Sequence, residues 1–155
     1  MPRLAPLVLL AFLAPQAAPA ADREAGTLYP PPKSSELVRT LAKPRDDASA
    51  GERRRFVLAL GRALTNAGLG EVGVETAGDD ADRLVVVAVR DGMVDTPYRA
   101  RALLARLNGL AREVAPFAAG QPDLEWSFLD LLRSLDFERV TVSDGAALAV
   151  QNVLR

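Results

Sequence analysis

Leu84-Val85-Val86-Val87-Ala88-Val89 is the longest β-branched apolar run beyond the N-terminal twenty residues. Bounded by Asp82-Arg83 and Arg90-Asp91-Gly92, it is too short for an ordinary buried helix and has the pattern of a strand covered on both faces. Burying each Val or Leu contributes about 1.5–3 kcal/mol, against roughly 1–2 kcal/mol of backbone entropy for each residue ordered. Neighbouring elements are therefore expected to pair with this run or cover it. The run itself carries no chemistry.

Working outward on the N-terminal side, Val72, Val74 and Thr76 alternate with Glu71, Gly73 and Glu75, as in a strand with one dry face. The Gly/Asp-rich residues 77–82 make the two runs a hairpin. Before it, Ser49-Ala50-Gly51-Glu52 reads as a capping box. Phe56, Leu60, Ala63, Leu64 and Ala67 follow at helical spacing up to Gly68. Residues 21–49 read as a flexible linker, with Tyr29-Pro30-Pro31-Pro32 favouring extended polyproline conformation. Within it, residues 35–43 are expected to form a short helix capped by Ser35, with Leu37, Val38 and Leu41 on one side, ended by Pro44.

On the C-terminal side, Thr96-Pro97 opens a helix whose stripe is Leu103, Leu104, Leu107, Leu110, Ala111 and Val114. Arg99, Arg101, Arg106 and Arg112 flank it, with stems along the core and heads in water. Pro122 is expected to restart a helix with Leu124, Phe128, Leu131, Leu132 and Leu135 on one face. Val140 and Val142 alternate with polar residues, Asp144-Gly145 turns the chain, and Leu148 and Val150 belong to a returning strand. The expected order is α-β-β-α-α-β-β. The fold class is α+β, a two-layer sandwich with helices packed on one face of a small four-stranded, mostly antiparallel sheet, formed by residues 50–155 as a single domain.

Residues 1–20 read as a signal peptide. Arg3 gives the positive start, residues 4–13 the apolar centre, and Ala18-Pro19-Ala20 the cleavage site. The apolar centre is too short to span a bilayer, so no permanent membrane anchor is expected. The expected location is the periplasm or the extracellular medium. Removing residues 1–20 takes away Arg3 alone and leaves 18 basic and 20 acidic side chains, a balance that argues against a nucleic-acid partner.

The chain has no cysteine and no histidine. Thiolate nucleophiles, disulfides, imidazole acid–base chemistry and Ser-His-Asp triads are thereby excluded. No G-x-S-x-G elbow is present. The cluster Asp79-Asp80-Ala81-Asp82 departs from the calcium-loop pattern, because its glycine precedes the acids and no glutamate follows at the twelfth position, and it reads as ordinary turn chemistry. No cofactor or metal is expected. Asp91, Asp95 and Asp144 lie near strand ends, and Asp91 with Asp144 would be the acid–base pair of a carboxylate-dependent hydrolase. Trp126 falls opposite the expected apolar face, beside Asp130 and Arg133, and these three form a candidate interaction surface, since exposed aromatics are enriched at binding hot spots. The competing reading packs Trp126 onto residues 116–121.

Two stretches, Asp80-Ala81-Asp82-Arg83-Leu84 and residues 131–145, Leu-Leu-Arg-Ser-Leu-Asp-Phe-Glu-Arg-Val-Thr-Val-Ser-Asp-Gly, give the chain a resemblance to a family of small exported bacterial α+β domains. The family pattern has glycine where this chain has Asp136, and aromatics where it has Ala146, Ala147 and Leu148. The resemblance implies a fold and no activity. The functional expectation is a non-enzymatic binding domain for an envelope protein partner, with hydrolysis of envelope polymers as the alternative.

Overall fold

The computed structural model describes residues 29–155, so the expected signal peptide lies outside the described residues. The elements are β1 (Ser34–Val38), α1 (Ala50–Asn66), β2 (Val72–Ala77), β3 (Arg83–Ala88), α2 (Pro97–Arg112), α3 (Phe117–Gly120), α4 (Phe128–Ser134), β4 (Arg139–Ser143) and β5 (Ala149–Leu154). The strands form one five-stranded sheet in the order β1-β5-β4-β3-β2. β2 and β3 are antiparallel, as are β4 and β5, while β3 runs parallel to β4 and β1 parallel to β5. A parallel pair needs a long crossover, and the stretch carrying α2, α3 and α4 supplies it between β3 and β4.

Two features differ from the expected sheet: it has five strands, not four, and it is mixed. The cause of the first lies in residues 34–38, where a strand replaces the expected short helix. A helix of nine residues is marginal by itself, whereas β5 offers a free edge of hydrogen-bonding groups. Ser34 to Val38 pair with Val150 to Leu154. The period-two pattern then becomes useful, because Val38 packs against the core and Glu36 reaches Arg101 on α2 at 2.5 Å.

Register sets the two faces. Val74, Val86, Val142 and Val150 stand opposite one another across β2, β3, β4 and β5. They share one core with Phe56 and Leu60 of α1, Leu107 of α2 and Leu131 of α4. Phe56 meets Phe117 edge-on, with ring centroids 5.5 Å apart, a geometry aromatic quadrupoles favour. The alternate residues Val85, Thr141 and Gln151 occupy the other face, and no described helix shares it. Val85 lies outside the helical core although it is only 1% exposed.

Capping sets the helix starts. Ser49 and Thr96 accept the amides of Glu52 and Arg99, as the sequence predicts, but the expected capping box at Ser49 is only half formed, because the Glu52 carboxylate pairs with Arg45. The fourth helix differs from expectation, since it begins at Phe128 and not at Pro122. Ser127 and Asp130 form a reciprocal capping box there. Arg112 holds the preceding segment in a non-helical path by donating to the carbonyls of Asp123 at 2.7 Å and Trp126 at 2.6 Å. Leu124, expected on the buried face, is 92% exposed as a result. Among the described residues no helix is long and apolar enough to cross a membrane.

Candidate functional site

Strand register brings four side chains into one row at an end of the sheet's helix-free face. Arg83 of β3 stands opposite Arg139 of β4, Arg139 opposite Val153 of β5, and Val153 opposite Leu37 of β1. Leu37 is 58% exposed and Arg139 is exposed, while Val153 and Arg83 are half-buried. Arginine is among the residues enriched in protein interfaces. Beside this row lies a cleft of about 300 Å³ lined by Arg133, Glu138, Arg139, Val153, Leu154 and Arg155.

The cleft is shaped by backbone pairing. The Leu154 amide donates to the Glu138 carbonyl at 2.9 Å and the Arg155 amide to the Val38 carbonyl at 3.0 Å. The Arg155 carbonyl accepts both the amide of Thr40 at 2.8 Å and its hydroxyl at 3.0 Å. Arg133 pairs with Asp136 at 3.3 Å. The guanidiniums of Arg139 and Arg155 have no carboxylate partner among the described residues.

The three residues singled out in the sequence have separate places. Arg133 lines the cleft. Trp126 is half-buried and packs on the main core. Asp130 is 5% exposed, and its Oδ2 accepts the Ser127 hydroxyl at 2.6 Å and amide at 2.8 Å. Its Oδ1 accepts the Leu41 amide at 2.5 Å. Burial pushes the Asp130 carboxyl up, and the Ser127 hydroxyl with the amides of Ser127, Leu41 and Ala42 outweighs this and holds it below the ordinary carboxylate range. Asp130 thus joins α4 to the segment after β1.

Asp144 is engaged in its own turn. Its Oδ1 accepts the amides of Ala146, Ala147 and Leu148 at 2.8, 2.9 and 2.9 Å. Burial pushes its pKa up, and the backbone amides of Ala146, Leu148 and Ala147 together outweigh this and leave the carboxyl below its ordinary range. A general acid needs the opposite shift. Asp95 pairs with Arg99 at 2.9 Å, and Asp91 is exposed. In the acidic turn, Arg53 donates to the Asp80 carbonyl at 2.8 Å and Arg54 to the Asp79 carbonyl at 3.1 Å. No group of three or more carboxylates gathers as a metal site among the described residues.

Comparison of the chain with protein-family models, with curated proteins and with solved structures found no match. Residues 80–84 and 131–145 therefore stand on their own geometry. Arg139, Val153, Leu37 and Arg155 escape a reading of the sequence, because they lie far apart along it and meet only through strand register. The one local signal is the alternation of Arg139, Thr141 and Ser143 with Val140 and Val142, which turns Arg139 away from the core.

Proposed function

We propose that this chain is an exported, non-enzymatic binding domain that holds an acidic segment of an envelope protein partner along the row Arg83, Arg139, Val153 and Leu37. The observation that carries the reading is this row, in which aliphatic and guanidinium side chains from four adjacent strands stand in register on a face without helices. The aliphatic pair offers apolar area to desolvate, and the Arg139 guanidinium selects for acidic partners and steers their approach. Hydrolysis finds no comparable support, since Asp144 is committed to its turn.

The test is crosslinking of the mature protein in envelope extracts. A partner should be captured by the wild type and by Leu58→Asp, which alters an exposed leucine on α1. Capture should be lost in Leu37→Asp and Val153→Asp, and a polyglutamate peptide should compete with it. Capture unaffected by both row substitutions would overturn the reading.

A further inference from the structure

We infer that the cleft beside Arg139 and Arg155 is a discrete subsite for a single oxyanion, the carboxylate or phosphate group of a ligand. The inference deepens the binding reading above and rests on it for its biological setting. Three of the six lining residues are arginines, drawn from the last turn of α4, the start of β4 and the residue after β5, and Glu138 is the one acidic lining residue. Asp136 takes up part of the Arg133 charge. Arg139 and Arg155 are left with donors directed at no carboxylate among the described residues.

Like charges drawn to one cleft repel, and a bound oxyanion relieves that repulsion. The planar guanidinium fork matches the paired oxygens of a carboxylate or phosphate. Val153 adds aliphatic surface at the edge of the cleft, whereas Leu154 contributes backbone, its side chain being buried in the core. The backbone of Arg155 is already held from both sides by Val38 and Thr40, so ordering on binding is confined to the arginine side chains. A volume of about 300 Å³ is at the small end for ligand pockets, which suits one charged group on a small body.

The experiment is an amide NMR titration of the intact protein with sodium phosphate and, separately, sodium acetate, each against sodium chloride at matched ionic strength. Saturable shifts are expected at Arg139, Val153, Leu154 and Arg155, and the salt that produces them at lower concentration identifies the group preferred. Arg139→Gln and Arg155→Gln should each raise Kd roughly tenfold, at unchanged melting temperature because both heads are solvent-facing. Glu138→Gln should lower Kd, an effect that damage to the fold would not produce. Shifts that match those in chloride, or that persist in the double Arg139→Gln, Arg155→Gln variant, would overturn the subsite. Absence of anion binding with crosslinking still lost in Leu37→Asp removes the subsite and leaves the partner row. Anion binding with crosslinking indifferent to Leu37→Asp removes the partner row and leaves the subsite.

Discussion

The Asp130 carboxylate accepts the backbone amide of Leu41 at 2.5 Å across 89 residues of sequence. A single side chain thereby caps α4 and pins the strand-to-helix connection that follows β1. The other oxygen of the same carboxylate, Oδ2, accepts the Ser127 hydroxyl and amide, so the anchor and the helix cap form one network.

Asp130→Asn should cost about 1.5–3 kcal/mol at neutral pH, the range for hydrogen bonds to a charged group. The folded carboxyl lies below its ordinary value, so its stabilisation is fully present above the unfolded Asp pKa of about 3.9 and is lost as pH falls through the folded value. Urea midpoints of wild type and variant should be separated by a constant gap above about pH 5 and converge in stronger acid. A gap independent of pH would show that the charge is not what stabilises.

Arg53 is 5% exposed and clamps two carbonyls, Asp80 at 2.8 Å and Leu135 at 3.0 Å. Arg53→Met keeps the aliphatic volume and leaves both acceptors unpaired, so urea unfolding should show a loss of about 2–3 kcal/mol. Arg53→Lys should recover part of it, limited by an ammonium that lacks the fork.

Gly78→Ala and Gly70→Ala should differ. Gly78 has φ +86°, and an added Cβ would fall 2.3 Å from Asp82 Oδ1, whereas a Cβ on Gly70 meets nothing within 4 Å. The left-handed conformation alone costs about 1–2 kcal/mol for an L-residue. Thermal melts should show a clear drop for Gly78→Ala and little change or a slight rise for Gly70→Ala.

Trp126 is the single tryptophan, and its carbonyl is held by Arg112 at 2.6 Å and Asn108 at 3.2 Å. Arg112→Met frees residues 122–126 while α2 keeps its buried stripe. Intrinsic emission should shift to the red and become more accessible to quencher, at a stability loss of about 1 kcal/mol. Unchanged emission would mean that packing on the core, and not Arg112, fixes the indole.

Regular patterns were readable where local and tertiary forces agree. Residues 84–88 of the apolar run lie in β3, with Val89 beyond its end and exposed, Val72 and Val74 lie in its hairpin partner, and Ser49 and Thr96 are the caps of the two long helices. The sequence is ambiguous at residues 34–38, where a few apolar positions suit either a short helix or an edge strand, and only the open edge of β5 decides. Pro122 looked like a helix start because proline suits the first turn, but the guanidinium of Arg112 competes for the same carbonyls. The candidate site was least legible of all: Arg133 could be singled out on a helix face, while Arg139, Arg155 and Leu37 become neighbours only after five strands are set in register.

The pairing of β1 with β5 imposes an order in time. Ser34 finds Val150 only once nearly all the described chain exists, and closing so long a loop is slow because its entropy must be lost before any contact repays it. Until β5 is made, residues 34–38 have no strand to pair with, so the Leu37–Val153 pairing and the backbone contacts of Arg155 form only after it. The row and the cleft both include residues of β5, so a chain in which β5 is not yet paired presents neither.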